Sequence, residues 1–452
     1  MLSNFFRIFL TRSFAPFRFQ GREHMSDPSL QLDVENPGIY VHVPFCETLC
    51  PFCPYFKEPY SPVSMERFQQ SLIREIEAVG KMLLCPSRLE IPEAGHASPA
   101  TQGDCARPKA AAHTGCGIKR TTVESVYFGG GSPSLMGDGL VAVAETLRRY
   151  FDITGGIGVE LHPKNVNEQT IRHLKTMSCN MVSLGVQSFH PKLLETLERK
   201  PSDEERSLQM LADASFDVID VDLIFGIPEQ TPEQLAGDFR QAVGLGATQI
   251  STYPFIDFSF ASNKRKPQGH AAKKRMLQML VEMSKQCGFE RTSVWTFARK
   301  EMARYSSITR DNYLGFGPSA ATLLRKTFRV NTFSVDEYCR AIDGGTCGTT
   351  LALHFTTRQR MVYWLFWSCY NLIISRQSFR RFFHCDLDDV FRYELWAGRL
   401  LGYLMPSPDG YLLTERGALA FHRVEQHYTL QYIDRMWCES GKTPWPTELI
   451  IS

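Results

Sequence analysis

The sequence predicts an α/β protein, in which parallel strands form an open, partial barrel and a mostly helical C-terminal domain follows. Between about Pro37 and Ile256, short apolar segments alternate with amphipathic helical segments six times, which is the pattern of parallel strands covered by helices. After about Phe333, helical segments rich in aromatic residues replace this alternation. Six strand–helix units suit an open barrel better than a closed barrel of eight units.

The predicted strands are short and several are rich in Val, Ile or Leu, as expected for strands that are buried on both faces. They are Ile39–Pro44, Ser125–Phe128, Ile157–Leu161, Met181–Val186, Val218–Phe225 and Gln249–Pro254. The amphipathic segments predicted as helices are Met65–Leu84, Gly139–Phe151, Glu168–Met177, Asp203–Ala214, Pro232–Leu245 and Ala272–Cys287. Active sites of such barrels lie at the C-terminal ends of the strands, where the unusual residue clusters of this chain fall.

We predict three parts: an N-terminal tail at residues 1–36, the barrel at residues 37–333 and the C-terminal domain at residues 334–452. Residues 85–119 are rich in Pro, Gly, Ala and Ser and have no apolar period, so they are predicted to be a disordered surface insertion. In the C-terminal domain, Met361–Ser375 is predicted to be a buried helix. A helix and a small hairpin near the end of the chain give this domain a winged-helix-like character.

The overall charge and hydropathy exclude several classes of protein. The chain has 50 basic and 48 acidic residues, so no overall field favours binding to nucleic acid or a membrane surface. No run of about 18 uncharged apolar residues is present, so no membrane span is predicted. Thirteen cysteines with one tight cluster suit a reducing compartment. We expect a cytoplasmic protein; an N-terminus with Arg and Phe and no acidic residue before Glu23 leaves organelle targeting as an alternative.

Three cysteines, Cys46, Cys50 and Cys53, follow the first predicted strand at spacings of four and three residues. Thiols at this spacing in one loop can surround a small inorganic centre. An iron–sulfur cluster normally takes four cysteines, but three ligands leave one iron open to a cofactor or substrate, as a catalytic cluster requires. Position 55, where a fourth cysteine could be expected, is Tyr55. We predict a [4Fe–4S] cluster here, with a structural zinc site as the alternative.

Other candidate site residues lie at or near the ends of later strands. Gly129–Pro133 (GGGSP) ends the second strand, and consecutive glycines let the backbone approach a ligand closely. Glu160 ends the third strand, Gln187 follows the fourth and Asp222 lies within the fifth. Their side chains could bind the ammonium group and ribose hydroxyls of a cofactor, and a buried Asp in an apolar run needs such a partner. Asp220 is instead predicted to be a surface or capping residue.

Five segments, in this order, resemble the oxygen-independent coproporphyrinogen III oxidase superfamily of radical S-adenosylmethionine (SAM) proteins. They are Ile39–Cys53 (IYVHVPFCETLCPFC), Val126–Ser134 (VYFGGGSPS), Val182–Phe189 (VSLGVQSF), Val221–Thr231 (VDLIFGIPEQT) and Tyr313–Ala320 (YLGFGPSA). The match covers roughly Pro37 to Arg325, interrupted by the insertion. This resemblance implies a partial (β/α)6, TIM-like radical SAM barrel.

The resemblance also implies the cofactors and the residues that bind them. A [4Fe–4S] cluster on the three cysteines would bind SAM and, once reduced, cleave it to methionine and a 5′-deoxyadenosyl radical. The residues matched to this SAM are Tyr40, Gly130 and Glu160. The residues matched to a second SAM are Phe52, Gly131, Ser132, Gln187, Arg199 and Asp222. No residue is assigned a catalytic role, and the expected partners are a small-molecule substrate and an electron donor such as flavodoxin or ferredoxin.

Three functions of the superfamily stay open. The oxidases carry a fourth cysteine at the position of Tyr55 and a longer N-terminal arm, which disfavours coproporphyrinogen oxidation in porphyrin biosynthesis. The heme chaperones carry a His-Asn-containing motif, and Arg304–Tyr313 (RYSSITRDNY) has no His. Because the residues for two SAM molecules are retained, we favour a two-SAM methyltransferase acting on a tetrapyrrole or another planar unsaturated molecule. A protein that binds a cluster or heme without catalysis is the remaining alternative.

Overall fold

The protein is described by a computed structural model that covers residues 2–24, 36–84, 120–300, 302 and 311–451. The predicted insertion, residues 85–119, lies outside the described residues. Most of the segment in which the heme chaperone motif was sought, residues 303–310, also lies outside them. Within the described part of the chain, fourteen strands form a single sheet.

The first part of the chain alternates strands with helices. Its strands are β1 (Phe17–Gly21), β2 (Gly38–Val43), β3 (Phe45–Cys46), β4 (Glu58–Pro59), β5 (Thr121–Val123), β6 (Ser125–Gly130), β7 (Phe151–Ile153), β8 (Ile157–Leu161), β9 (Met181–Gln187), β10 (Val218–Phe225), β11 (Gln249–Pro254), β12 (Phe289–Arg291) and β13 (Thr296–Arg299). Its helices are α1 (Leu2–Thr11), α2 (Pro62–Leu84), α3 (Asp138–Tyr150), α4 (Glu168–Thr176), α5 (Pro191–Thr196), α6 (Glu204–Asp213), α7 (Pro232–Gly244) and α8 (His270–Gln286).

The second part of the chain is richer in helices. Its strands are β14 (Tyr313–Phe316), β15 (Ala321–Leu323), β16 (Thr327–Asn331), β17 (Thr349–His354), β18 (Ile373–Ser375), β19 (Leu404–Ser407), β20 (Gly410–Leu413) and β21 (Glu448–Ile451). Its helices are α9 (Val335–Asp343), α10 (Thr357–Tyr370), α11 (Arg376–Phe383), α12 (Leu387–Val390), α13 (Arg392–Leu400), α14 (Glu415–Tyr428) and α15 (Asp434–Lys442). A π-helical turn, Thr429–Ile433, joins α14 to α15.

The predicted partial barrel is confirmed. Strands β2, β6, β8, β9, β10 and β11 lie side by side in this order, and each pairs in parallel with the next. The YLGF segment adds β14, which pairs in parallel with β2 on its other side. Three of the helices between the strands begin at a side-chain cap: Asn167 at α4, Asp203 at α6 and Thr231 at α7, where Thr231 forms a capping box with Gln234.

The predicted N-terminal tail contains regular structure. Residues 2–11 form α1, and β1 pairs antiparallel with both β17 and β21. These pairings join the beginning and the end of the chain to the barrel sheet, so the sheet crosses the boundary predicted between residues 333 and 334. The apolar run Thr349–His354 explains the crossing, because five of its six residues are buried in β17.

The helical layer at the C-terminal end has its own small core. Helix α10 ends at Tyr370 rather than at Ser375, because Leu372 adopts a left-handed conformation (φ 62°) and β18 follows. Strands β18, β20 and β19 form a three-stranded sheet, and β19 and β20 are the hairpin of the predicted winged-helix-like region. No helix in the described ranges is long and apolar enough to cross a membrane.

Candidate active site

A cavity of about 630 Å³ lies at the C-terminal ends of the barrel strands, where the site was predicted. One wall is built from the loop after β2 and the ends of β6, β8, β9 and β10. The opposite wall is built from α10, α14, the π-helical turn and α15. The cavity is therefore enclosed between the barrel and the C-terminal helices.

The three predicted cluster ligands, Cys46, Cys50 and Cys53, all line this cavity and carry free thiols. Their loop is fixed by backbone bonds, because β3 pairs in parallel with β4 and the Lys57 ammonium donates to the Cys53 carbonyl oxygen at 2.8 Å. Behind the loop, the buried His42 ring bonds the Phe56 carbonyl oxygen at 2.9 Å. The loop therefore presents three thiols on one side.

Three thiols suit a cluster with one open iron better than a structural zinc site, which closes its shell with four ligands. In the ranges that the structure describes, no group of three or more His, Cys, Asp or Glu side chains gathers around a position for one metal ion. Burial raises the pKa of the Cys46 thiol to about 12, so in the absence of a metal centre this thiol keeps its proton.

The glycine segment packs directly against the cysteine loop. The Gly131 N–H donates to the Val43 carbonyl oxygen at 2.7 Å, and the Ser132 N–H donates to the Phe45 carbonyl oxygen at 2.7 Å. A Cβ atom at Gly131 would lie 2.4 Å from that same Phe45 oxygen, so no larger residue fits. Gly130 has φ +107°, a conformation that favours glycine. These contacts explain why the GGGSP segment needs its glycines.

The residues matched to the SAM at the cluster lie together, although not all of them line the cavity. The Gly130 N–H donates to Glu160 Oε2 at 3.0 Å, and both residues line the cavity. Burial raises the pKa of Glu160 to about 7. Tyr40 lies behind this surface: its ring stacks on Tyr127, which lines the cavity, and its hydroxyl bonds His42 Nδ1 at 3.0 Å.

The residues matched to a second SAM all line the same cavity. They are Phe52, Gly131, Ser132, Gln187, Arg199 and Asp222. Arg199, whose match rests only on its spacing after Gln187, is buried and donates to the Gly185 carbonyl oxygen. Gln187 has φ +71°, which is strained for a residue with a side chain. Asp238 holds the segment that follows, because it accepts from Ser188 Oγ at 2.7 Å and from the Phe189 N–H at 2.9 Å.

The prediction for Asp220 is wrong. Asp220 is buried, lines the cavity and accepts a hydrogen bond from Ser251 Oγ at 2.8 Å. Side chains two residues apart on a strand point to the same face, so Asp220 faces the interior together with Asp222. Asp222 accepts from Ser183 Oγ at 3.3 Å, and burial, followed by the charges of Asp220 and Glu160, raises its pKa well above the usual range.

Sequence reasoning missed the residues of the opposite wall. These are Trp367 and Tyr370 on α10, Glu425 on α14, Thr429 and Ile433 on the π-helical turn, and Trp437 on α15. A signal for part of this wall was present: His422, Glu425, Gln426 and Thr429 are spaced i, i+3, i+4 and i+7, and all four are buried. Polar residues at this spacing form a stripe on one helix face, and a buried polar stripe needs partners.

Comparisons with known proteins show which sequences this chain is similar to. The sequence profile of the radical SAM superfamily matches residues 115–242. An oxygen-independent coproporphyrinogen III oxidase from Pseudomonas aeruginosa is 23% identical over 360 residues, which are 72% of this chain and 69% of the oxidase. Heme chaperone HemW from Bacillus subtilis is 23% identical over 403 residues, which are 85% of this chain and 97% of HemW.

A solved structure supports the fold. Coproporphyrinogen III oxidase (HemN) from Escherichia coli superimposes with a TM-score of 0.71 at 18% identity, over 94% of this chain and 98% of HemN. Radical SAM proteins use a [4Fe–4S] cluster and SAM, and these are the cofactors of this chain. The chain therefore carries a radical SAM domain and is homologous to the coproporphyrinogen III oxidase and HemW family.

Proposed function

We propose that this chain is a two-SAM methyltransferase: one SAM is cleaved at the cluster, and a second SAM supplies a methyl group to a planar unsaturated substrate such as a tetrapyrrole. The observation that carries the proposal is that the whole set matched to the second SAM, together with Gly130 and Glu160 of the first set, shares one cavity with the three cysteines. A protein that only stores a cluster or heme has no use for the second set of residues.

Different residues of the chain are suited to bind different chemical groups of SAM. A reduced cluster supplies the electron that cleaves SAM to methionine and a 5′-deoxyadenosyl radical. The Asp222 carboxyl group is suited to accept hydrogen bonds from ribose hydroxyls, and the buried Arg199 guanidinium is suited to a carboxylate. Helices α10 and α14 cover the cavity and would keep water from reactive species inside it.

The product S-adenosylhomocysteine tests the proposal, because methyl transfer forms it, whereas oxidative decarboxylation and heme loading do not. The anaerobically reconstituted protein is incubated with SAM, a reductant and one of three tetrapyrroles (heme, coproporphyrinogen III or the tetramethyl ester of coproporphyrinogen III), and the products are measured by mass spectrometry. We expect both 5′-deoxyadenosine and S-adenosylhomocysteine, and two bound SAM per chain at equilibrium. Decarboxylated porphyrinogen without S-adenosylhomocysteine would instead identify an oxidase.

Heme binding is the second candidate function. The observation that favours it is the extent of the similarity to HemW, which runs over 97% of that relative. Tight binding of heme together with a single bound SAM per chain would support this candidate. Whichever function holds, cleavage of SAM requires an electron, and we propose a flavodoxin or ferredoxin as its source.

A further inference from the structure

One part of the cavity lining combines buried acids with aromatic rings and has a chemistry of its own. We call this part the acid–aromatic chamber and define it by five lining residues: Asp220, Trp295, Tyr370, Glu425 and Trp437. None of them belongs to the sets matched to the two SAM molecules. If the proposed function holds, the chamber is the part of the cavity left for the substrate.

Glu425 is the least satisfied acid of the chamber. It is buried, its Oε1 accepts from Thr429 Oγ1 at 2.8 Å, and its Oε2 is a buried oxygen that has no hydrogen-bond partner among the described residues. Burial raises the pKa of Glu425 to about 8. A buried polar group without a partner is costly. The π-helical turn that begins at Thr429 is a feature that recurs at functional sites.

The aromatic walls of the chamber are held in fixed positions. Trp295 and Tyr370 pack edge to face, with ring centroids 5.9 Å apart and an interplanar angle of 89°. Trp295 Nε1 donates to His422 Nδ1 at 2.7 Å, which fixes the indole. Burial, followed by the charges of Glu425 and Asp220, raises the pKa of Tyr370, so this phenol lies near both acids. Fixed aromatic faces between two acids suit a planar ring that carries donors.

The positively charged side chains of the cavity lining belong to the barrel wall. The cationic side chains among the described lining residues are Lys57 and Arg199, and each is bound to the barrel side, Lys57 to the Cys53 carbonyl and Arg199 to the Gly185 carbonyl. His162 also lines the cavity, but burial lowers its pKa to about 3, so it is neutral. The chamber therefore offers no cation, among the residues that the structure describes, to bind a carboxylate.

We propose that Glu425 and Asp220 bind the N–H or cationic nitrogen groups of a planar nitrogen heterocycle, which packs among Trp295, Tyr370 and Trp437. The substrate class is then a neutral or positively charged heterocycle with N–H donors, and the chamber rejects planar molecules that present carboxylates to it. This chemistry is shared by a small free heterocycle and by the pyrrole core of a tetrapyrrole whose carboxylates are absent or masked.

The test measures binding of planar probes to the full-length protein with its cluster oxidised and with saturating SAM, so that the SAM sites are occupied. Proflavine, a planar cation with N–H donors, is expected to bind once per chain. Anthracene-2-carboxylate, a planar anion of similar size, is expected to bind at least tenfold more weakly. Glu425→Gln should weaken proflavine binding by about tenfold or more, since a hydrogen bond to a charged group is lost. Glu439→Gln on α15, where the side chain is 45% exposed and lies outside the cavity lining, is the matched control and should not change proflavine binding.

Two porphyrins distinguish a tetrapyrrole ligand from a small heterocyclic ligand. Coproporphyrin III tetramethyl ester should compete with proflavine if the ligand is a tetrapyrrole and should not compete if it is a small heterocycle; either result supports the shared chemistry. Stronger competition by the free tetra-acid than by the ester would overturn the proposal, as would equal binding of proflavine and the anion.

Unchanged proflavine binding in Glu425→Gln would likewise overturn it. If that variant fails to fold, as judged by its iron content and thermal midpoint, Asp220→Asn gives an independent test with the same expected loss. These binding measurements need no turnover. The proposed ligand of the chamber can therefore be wrong while S-adenosylhomocysteine still forms, and it can be right while S-adenosylhomocysteine does not form.

Discussion

The two walls of the cavity are built differently. The cluster wall consists of a loop and strand ends, and its residues come in short contiguous segments such as Cys46–Cys53 and Gly129–Pro133, locked together by backbone hydrogen bonds. The opposite wall takes single side chains from α10, α14 and α15, separated by many residues along the chain. The first wall carries the segments that resemble a family, and the second wall carries none of those segments. The cofactors can therefore be read from local segments, whereas the substrate depends on side chains that only the fold brings together.

Two buried glutamates, Glu75 outside the cavity lining and Glu425 within it, differ in how well their oxygen atoms are hydrogen-bonded. Glu75 on α2 accepts from the Gly317 N–H at 2.9 Å, from Asn331 Nδ2 at 3.2 Å and from the Tyr338 hydroxyl at 2.7 Å. Glu425 accepts from Thr429 alone, and its Oε2 has no hydrogen-bond partner among the described residues. Glu75 has the pattern of a structural acid, whereas Glu425 has the pattern of an acid that lacks its ligand.

The largest effect is expected at the cluster wall. Replacing Cys46, Cys50 and Cys53 together by alanine should remove the charge-transfer absorption and about four irons per chain, the content of one [4Fe–4S] cluster. Iron analysis after anaerobic reconstitution measures the loss. Cys438→Ala, on α15 and outside the cavity lining, should keep its full iron content. A triple variant that also keeps it would show that the cluster lies elsewhere.

The same contrast explains how much could be predicted from the sequence. The six barrel strands were predicted within about two residues, because buried parallel strands form continuous apolar runs. The boundary predicted at residue 333 is crossed by the sheet, because β17 pairs with β16, β1 pairs with β17, and β21 pairs with β1. The placement of Asp220 failed because the two-residue period of a strand was not applied to it. Glu425 was missed because three features of the fold single it out: its hydrogen bond with Thr429, its position in the cavity lining, and an Oε2 atom with no hydrogen-bond partner among the described residues.

The next effect concerns the pH dependence of stability, and it tests whether Glu75 is structural. Burial raises its pKa from 4.5 to about 7, so the folded state binds its proton more tightly than the unfolded state does. The stabilisation is therefore complete below about pH 4.5 and is lost as pH rises through 7, amounting to about 3 kcal/mol. From pH 5 to pH 8, the free energy of unfolding of the wild type should therefore fall by about 3 kcal/mol more than that of Glu75→Gln. Urea unfolding at the two pH values measures this difference.

The matched control for this comparison is Glu66→Gln, an exposed position on the same helix. It should keep the pH dependence of the wild type. If Glu75→Gln keeps that dependence as well, the burial of the Glu75 carboxyl group is not the source of the pH-dependent stability.

A smaller effect is expected at Asp222, where the two sets of SAM residues meet. Loss of a carboxyl group that accepts hydrogen bonds from ribose hydroxyls costs about 1.5–3 kcal/mol, roughly ten- to hundredfold in affinity. Asp222→Ala should therefore weaken one of two SAM equivalents in anaerobic equilibrium binding and leave the other, held at the cluster, largely unaffected. Asp152 is an exposed carboxyl group on β7, and the control variant Asp152→Ala should still bind two SAM equivalents. A wild type that binds one equivalent would contradict the two-SAM proposal directly.

The smallest effect is expected for the stability of Glu425→Gln, and it separates the two glutamates most sharply. At pH 6, below its pKa of about 8, Glu425 is neutral, so glutamine replaces it without a change of charge. The single bond with Thr429 can also survive, because the amide still offers an oxygen to the Thr429 hydroxyl. We therefore expect the free energy of unfolding to change by less than about 1 kcal/mol, measured by urea unfolding at pH 6. A much larger loss would mean that Glu425 stabilises the fold as Glu75 does, and its unpartnered oxygen would then no longer indicate a ligand.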